Sequence, residues 1–174
     1  ARYGTTPDET ISLRGYAQGR YKEINEALRR AFRNDAEISP GTQGMIDSTT
    51  AGLEKLSQVP GRSYRGTNLP DSEVSLLREA FESGKGYVDP AFLSSSSDRS
   101  TADFFTYPNS PDRPVIYTID GQSGRQFDEF SAFNREGEIL FPPKTEFVVK
   151  GFDDSGENIL VHLVYKYPRI PNSR

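Results

Sequence analysis

The feature that most constrains this 174-residue chain is a change of pattern near its middle. In the first half, apolar residues recur every three or four positions, which is the spacing of amphipathic helices. The second half breaks into short runs rich in β-branched and aromatic residues, separated by Gly, Pro, Asp and Ser, which is typical of β-strands. This order predicts an α+β domain, in which a helical N-terminal portion packs on a two-sheet, mostly antiparallel β-core.

Three long helices are predicted. They cover about residues 5–32, 44–58 and 70–84. The first begins with Thr6 as its cap and Pro7 in its first turn, and the third has Asp71 or Ser72 as its cap and Gly84 at its end. These boundaries rest on capping chemistry, because the apolar spacing alone does not fix where a helix stops.

Short β-type runs account for most of the rest of the chain. They cover residues 63–68, 91–97, 114–120, 137–141, 145–152 and 159–167, with a short helix over 98–105. The loop 120–135 is long and polar, and it carries Phe127, Phe130 and Phe133, which need either each other or a ligand as a partner. No internal repeat is visible, so residues 1–174 are predicted to form one domain. Because the sequence begins without Met, we expect it to be an excised or processed part of a larger protein.

The composition argues against several kinds of site. Cys is absent, which excludes disulfides, thiolate zinc sites and a cysteine nucleophile. The one histidine, His162, lies in a strand pattern and is interpreted as a packed or edge residue rather than a catalyst. A net charge of -4 without a basic cluster argues against nucleic acid as a partner. No apolar run approaches the roughly 18 residues of a membrane helix, and no signal peptide is visible.

Two acidic residues flank one glycine in the stretch "FNREGEILFPP", where Glu136 and Glu138 precede an apolar run. In an extended backbone, residues i and i+2 point to the same face, so these carboxylates would lie side by side. Like charges at this distance disfavour each other's ionisation. The pair therefore indicates either a solvated turn or a site that needs two carboxylates at one place.

Two further motifs precede the acidic pair along the chain. "SYRG" puts Arg65 at the end of a predicted strand beside Gly66, where a guanidinium could take a phosphate and a glycine would admit a ligand close to the backbone. "FLSSSSD" supplies hydroxyls between a strand and a helix. Taken alone, the first motif is better explained as an ordinary surface arginine, and the second is at least as well explained as a helix cap with a solvated turn.

In order, Arg65, then Ser94-Ser95-Ser96, then Glu136-x-Glu138 resemble the Arg-Ser-Glu class of mono-ADP-ribosyltransferases, the bacterial toxin and effector enzymes. The flanking aromatics agree with that family, and the resemblance extends over about residues 10–165. Ser95 stands where the family usually has Thr. Because four serines follow one another, a Ser95-x-Ser97 frame is the alternative, although Phe92-Leu93 favours Ser94. The resemblance implies the ADP-ribosyltransferase toxin fold, in the arginine-specific Glu-x-Glu subgroup.

The resemblance also implies roles for individual residues, with NAD as co-substrate and no metal. Glu138 would stabilise the positive charge that develops on the nicotinamide ribose, Ser94 would orient Glu138, and Arg65 would bind the pyrophosphate. Glu136 would orient and deprotonate the acceptor arginine, and Phe133 would contact the target protein. The remaining residues expected around NAD are Tyr16, Tyr21, Asn25, Gly66, Ser96 and Phe104 or Phe105.

The implied function is transfer of ADP-ribose from NAD to an arginine of a target protein, with release of nicotinamide. The implied setting is a protein secreted or translocated by a bacterium that acts in the cytosol of the target cell. Actin is the first expected target, followed by small GTPases, elongation factors and bacterial division proteins. An immunity or activator protein is a further expected partner. The alternatives are an NAD glycohydrolase and a catalytically silent protein-binding domain of the same fold; a glycoside hydrolase is disfavoured because its paired carboxylates flank a sugar.

Overall fold

The structure is a computed structural model that describes residues 4–131 and 137–166. Five α-helices are described there: α1 (Pro7–Gly15), α2 (Tyr21–Asn34), α3 (Pro40–Glu54), α4 (Asp71–Ser83) and α5 (Arg99–Asp103). The strands are β1 (Gly61–Leu69), β2 (Gly86–Asp89), β3 (Leu93–Ser96), β4 (Arg113–Gly121), β5 (Arg125–Gln126), β6 (Glu138–Phe141), β7 (Thr145–Asp153) and β8 (Ile159–Tyr165). The α+β class is therefore confirmed.

The first predicted helix is divided in two by a single turn of π-helix. The helix cap is as expected, since Thr6 accepts from the backbone N–H of Glu9 while the Glu9 side chain accepts from that of Thr6. The π-helical turn covers Tyr16–Arg20, and Gly19 within it has a φ of 137°, which favours glycine. This turn separates α1 from α2 and brings Tyr16 into the interior.

The other helices differ from the prediction mainly at their ends. α3 begins at Pro40, after Ser39 as its cap, and ends at Glu54, so the predicted span 44–58 was about four residues too late at both ends. The cap of α4 is Pro70 rather than Asp71 or Ser72, since Pro70 is still extended while the next residue is already helical. Gly84, in the left-handed conformation, ends α4 as expected.

The eight strands form one sheet in the order β2-β7-β8-β4-β1-β3-β6-β5, rather than two separate sheets. Neighbouring strands are antiparallel except for β4 and β8, which run parallel. β2 and β5 were not predicted. β1 pairs with β4 along its whole length, whereas its register with β3 is the single pair Tyr64 and Ser96. The sheet therefore has two halves, β2-β7-β8-β4-β1 and β3-β6-β5, which are joined at one point, where β1 meets β3.

Two apolar clusters cover the sheet. The first lies between α4 and the long strands β4, β7 and β8, and Leu77, Ile119 and Phe147 within it are fully buried. The second lies between the N-terminal helices and the β3–β6 region, where Leu13 and Leu140 are fully buried. Successive residues of β6 belong to different clusters, as the alternation of a strand requires. The helical N-terminal portion therefore packs on the part of the sheet that carries the serine and glutamate motifs.

His162 lies on β8, and its Nε2 is 2.6 Å from Oδ2 of Asp120 on β4. The same carboxylate accepts two hydrogen bonds from the Arg62 guanidinium, which lowers the pKa of Asp120 to about 2. These contacts give His162 a partner on the neighbouring strand. Because β8 lies between β7 and β4, His162 is a packed residue of the sheet rather than an edge residue. In the described part of the chain, no helix is both long and apolar enough to cross a membrane.

Candidate active site

Arg65 lies in the middle of β1, not at its end as the sequence suggested, because the strand continues to Leu69. Its Nη1 donates to the backbone carbonyl of Ser94 on β3, at 3.1 Å. The side chain is partly buried at the place where the two halves of the sheet meet. The first two motifs, separated by 29 residues in the sequence, are therefore in direct contact.

The serine motif presents alternate residues to opposite faces of β3. Ser96 pairs with Glu138 and Ser94 pairs with Leu140, so both serines lie on the face of Glu138. Ser95 faces the other way, and its hydroxyl donates to the carbonyl of Ile139 at 2.9 Å. This register favours the Ser94-x-Ser96 frame over the alternative that begins at Ser95.

The two serines on this face differ in their contacts. The Ser96 hydroxyl accepts from the backbone N–H of Asp98 at 3.1 Å and so helps to start the turn into α5. Ser94 lies diagonally across from Glu138, at a separation that a long side chain can span. Ser96 thus has a local structural bond, while Ser94 shares its face of the sheet with Glu138.

Glu138 is the first residue of β6, and Gly137 before it has a φ of 81°. The extended backbone through Gly137 that the same-face argument for the Glu-x-Glu pair assumed is therefore not found. A Cβ atom at this glycine would lie 1.9 Å from Oγ of Ser97. The left-handed backbone conformation favours glycine at this position, and the Ser97 hydroxyl would have to rotate to admit a Cβ atom. Glu136 and Phe133 lie outside the described residues.

Tyr16 connects the N-terminal helices to the serine and glutamate strands. Its buried ring lies 5.1 Å from that of Phe92 and 6.0 Å from that of Phe127, between centroids. Its hydroxyl accepts from Nδ2 of Asn25 at 3.1 Å, and Oδ1 of Asn25 accepts from the backbone N–H of Phe92 at 3.1 Å. Both ends of the Asn25 amide are thus engaged in fixing Tyr16 against β3.

The pKa of Tyr16 is shifted by its burial and by charged residues around it. Burial raises the pKa of Tyr16 to about 12, so the phenol is neutral near pH 7. The hydrogen bond from Asn25 and the positive charges of Arg65 and Arg29 act in the opposite direction, and the negative charge of Glu138 raises the pKa further. Arg65 and Glu138 therefore lie close enough to one buried hydroxyl for both to affect its ionisation.

Tyr21 begins α2, one helical turn before Asn25. Its ring meets Tyr16 edge-on at 6.1 Å between centroids and is 40% exposed. Tyr16 and Asn25 are both less than 10% exposed. Of the three residues expected near NAD on the N-terminal helices, Tyr21 is the one whose ring is accessible without a rearrangement.

Gly66 has a packing role that the sequence did not reveal. A Cβ atom at this position would lie 1.7 Å from the carbonyl oxygen of Ala102 in α5. The backbone of α5 thus rests directly on β1, beside Arg65. The sequence suggested that Gly66 admits a ligand close to the backbone. In this structure it admits the helix α5 instead.

The residues after α5 are aromatic and exposed. Phe104 is 77% exposed and Phe105 is 40% exposed. This segment is held to β1 by Asn68, whose Oδ1 accepts from the backbone N–H of Tyr107 at 2.8 Å and whose Nδ2 donates to its carbonyl at 2.7 Å. The exposed phenylalanines are therefore carried on a segment anchored at both ends, at Gly66 and at Asn68.

Three polar residues near the site were missed by sequence reasoning: Arg29, Asp89 and Asp128. Burial raises the pKa of Asp89, while the N–H of Ala91 and the charges of Arg65 and Arg29 oppose this shift. Asp128 accepts from the backbone N–H groups of Gly137 and Glu138. Their signals in the sequence were ordinary, because Asp89 precedes a proline and Asp128 lies in a polar loop. Within residues 4–131 and 137–166, no cluster of three or more residues of the metal-ligating types is found.

Comparison with known proteins shows which protein family this chain resembles. A family model described as NAD:arginine ADP-ribosyltransferase matches residues 4–167. The curated NAD(+)--protein-arginine ADP-ribosyltransferase Tre1 of Serratia proteamaculans is 30% identical over 162 residues, which cover 92% of this chain and 32% of that protein. The protein of the same name from Pseudomonas putida is 33% identical over 87% of this chain and 28% of its own length. The chain thus spans about a third of these relatives.

Solved structures of ADP-ribosyltransferases also superimpose on this chain. The Vis toxin, an ADP-ribosyltransferase from Vibrio splendidus, superimposes with a TM-score of 0.75 at 26% identity, over 95% of this chain and 76% of that one. The ATR domain of Salmonella SpvB superimposes with a TM-score of 0.71 over 93% of this chain and the whole of that domain. At 20% identity, the second likeness concerns the fold alone.

Proposed function

This chain belongs to the NAD:arginine ADP-ribosyltransferase family, and we propose that it transfers ADP-ribose from NAD to an arginine side chain of a target protein, with release of nicotinamide. The observation that carries the proposal is the meeting of Arg65, Glu138 and Tyr16 where β1, β3 and β6 come together. A cation for the pyrophosphate and an anion for the ribose are the two charges that cleavage of NAD requires.

Arg65 is assigned to the pyrophosphate. Its Nη1 is held by the Ser94 carbonyl, which fixes the plane of the guanidinium and leaves the other N–H groups of the fork for phosphate oxygens. Arg29 adds positive charge to the same region. Asp89 interacts electrostatically with both cations. Fixed orientation reduces the entropy lost when the dinucleotide binds.

Glu138 is assigned to the bond-breaking step. As nicotinamide departs, positive charge builds on the ribose, and a carboxylate already in position stabilises that charge without reorganising. Its backbone is fixed by pairing with Ser96, and the Ser94 hydroxyl on the same face is assigned to orient the carboxylate. Tyr21 and the exposed pair Phe104 and Phe105 supply aromatic surfaces for the nicotinamide end.

Glu136 is assigned to the acceptor, on the strength of its spacing from Glu138. A guanidinium has a pKa above about 12 and needs a base and a hydrogen-bond acceptor before it can act as a nucleophile. A carboxylate beside the ribose supplies both. Phe133, three residues earlier in the chain, is assigned to contact with the target protein.

The serine assignment leads to the first prediction. We expect Ser94→Ala to lower kcat for NAD cleavage by about tenfold with little change in melting temperature, because a positioning bond acts mainly on the rate. Ser96→Ala is the matched control, and it should lower the melting temperature more than it lowers kcat, since Ser96 is buried and bonded to Asp98. Steady-state kinetics and thermal unfolding of both variants measure this. A larger loss of kcat in Ser96→Ala would contradict the frame.

The acceptor chemistry leads to the second prediction. Incubation with labelled NAD and a cell lysate should place the label on protein arginine, in a linkage that neutral hydroxylamine cleaves. Agmatine, a small guanidinium compound, should compete for the label. Mass spectrometry identifies the modified side chain. Label found only as free ADP-ribose would indicate an NAD glycohydrolase, and label on asparagine, cysteine, threonine or nucleic acid would contradict the role of Glu136.

The setting of the enzyme is proposed from its relatives. Because the Vis relative is named a toxin, we assign this chain to a secreted or translocated bacterial protein that acts in the cytosol of a target cell. Actin is the first target to test with purified components, followed by small GTPases, elongation factors and bacterial division proteins. Adding lysate to the purified reaction detects a stimulating activator, and adding extract of the producing bacterium detects an inhibiting immunity protein.

A further inference from the structure

Asp128 makes an unusual pair of contacts at the start of β6. Its Oδ1 accepts from the backbone N–H of Glu138 at 2.6 Å, and its Oδ2 accepts from that of Gly137 at 3.1 Å. Successive N–H groups can converge on one anion because Gly137 is in the left-handed conformation, which makes a small anion-binding concavity of the backbone. Hydrogen bonds to an ionised carboxylate are stronger than those to a neutral acceptor.

The residue before Asp128 binds the next peptide group, the one on the other side of the Glu138 Cα atom. The backbone N–H of Phe127 donates to the carbonyl of Glu138 at 2.9 Å. The Phe127 ring is 1% exposed and lies 6.0 Å from that of Tyr16 and 5.7 Å from that of Phe130, between centroids. Residues 127 and 128 together therefore bind both the N–H and the C=O of Glu138 and connect them to the buried tyrosine.

Gly137 is fixed from the β3 side as well. The backbone N–H of Ser97 donates to the carbonyl of Gly137 at 2.9 Å. Because the Gly137 N–H belongs to the peptide that links it to Glu136, Asp128 binds the peptides on both sides of this glycine. A loss of Asp128 would leave the glycine, the most flexible residue type, with less to define its conformation.

We infer that Asp128 is a positioning residue of this transferase, which sets the conformation of Gly137 and thereby the direction in which Glu138 presents its carboxylate. This inference rests on the proposed function of Glu138. Asp128 acts through the backbone of Glu138, so its loss should reduce turnover while NAD still binds. A misplacement of about 1 Å in a reacting group can cost on the order of a hundredfold in rate.

The test compares Asp128→Ala with Asp128→Asn. The alanine variant should lose about a hundredfold in kcat for NAD cleavage, with a KM for NAD within threefold of the wild type. The asparagine variant keeps one acceptor oxygen and should recover part of that loss, although it is as neutral as alanine. The control is Asp153→Ala at the end of β7, because Asp153 accepts from the backbone N–H of Ser155 in a similar way, at 3.0 Å. This control should keep the wild-type kcat.

A second measurement does not depend on activity. Hydrogen exchange of the Gly137 and Glu138 amides should be faster in Asp128→Ala than in the wild type, and intermediate in Asp128→Asn. Unchanged exchange, a kcat within threefold of the wild type in Asp128→Ala, or equal losses in the two variants would overturn the inference. Wild-type protein that cleaves no NAD would refute the proposed function instead, and the exchange rates would still decide whether Asp128 holds this peptide.

Discussion

Replacing Glu138 by Gln should abolish both ADP-ribosyl transfer and the slow hydrolysis of NAD by water. The amide keeps the shape of the side chain and the pairing of Glu138 with Ser96, but it removes the negative charge. Losing one preorganised electrostatic contact to a transition state costs on the order of 100- to 1000-fold in kcat. Nicotinamide release, measured with and without an acceptor protein, follows both reactions. Hydrolysis that persists within tenfold of the wild type would remove Glu138 from the bond-breaking step.

The matched control for this experiment is Glu136→Gln. Because Glu136 is assigned only to the incoming guanidinium, its amide should abolish transfer and leave hydrolysis measurable. Water needs less orientation than a fully protonated arginine. If both variants lost hydrolysis equally, the two glutamates would act as one unit, and the separate roles would be wrong.

Replacing Gly66 by Ala should be among the most damaging changes outside the glutamates. The added Cβ would lie 1.7 Å from the Ala102 carbonyl, so α5 must move away from β1. Forcing an extra carbon into a close-packed contact costs about 1–3 kcal/mol in unfolding free energy, and backbone on both sides leaves little room to relax. NAD binding should weaken too, since α5 leads into the segment that carries Phe104 and Phe105. Denaturant unfolding and calorimetry with NAD measure the two effects.

The control for this variant is Gly44→Ala. Gly44 lies inside α3, and a Cβ atom there would meet nothing within 4 Å. Replacing a helical glycine by alanine should raise the unfolding free energy by about 0.5–1 kcal/mol. Opposite signs in two Gly→Ala variants would identify the contact with α5 as the cause. A Gly66→Ala protein as stable as the wild type would show that α5 shifts at no cost.

Much of the fold could be predicted because its signals are local. Thr6 and Gly84 mark helix ends through chemistry that acts within a few residues. The start of α4 was less predictable, because Asp71, Ser72 and Pro70 are all plausible at that boundary and the choice depends on where the backbone turns. β5 was missed because it has only two residues, and β2 was missed because it begins with Gly and ends with Asp, which are depleted in strands.

The site shows a different limit. Arg65, Ser94 and Glu138 could be selected in the sequence because their order and flanks form a pattern, and the structure brings their strands together. What fixes them there was not readable. Gly66 and Gly137 depend on contacts with Ala102 and Ser97, and these contacts exist only once distant segments have paired.

The meeting of Tyr16, Arg65 and Glu138 has a consequence for the time course of folding. These residues come from the beginning, middle and end of the chain, so no short segment contains the site. Long loops must close before such contacts form, which makes non-local strand pairing slow compared with helix formation. A chain that has formed only its N-terminal helices therefore lacks the proposed catalytic centre. With no cysteine to oxidise, no disulfide step delays the appearance of activity, which should follow the pairing of β1, β3 and β6. During refolding from denaturant, we expect NAD cleavage to lag behind the recovery of helical circular dichroism.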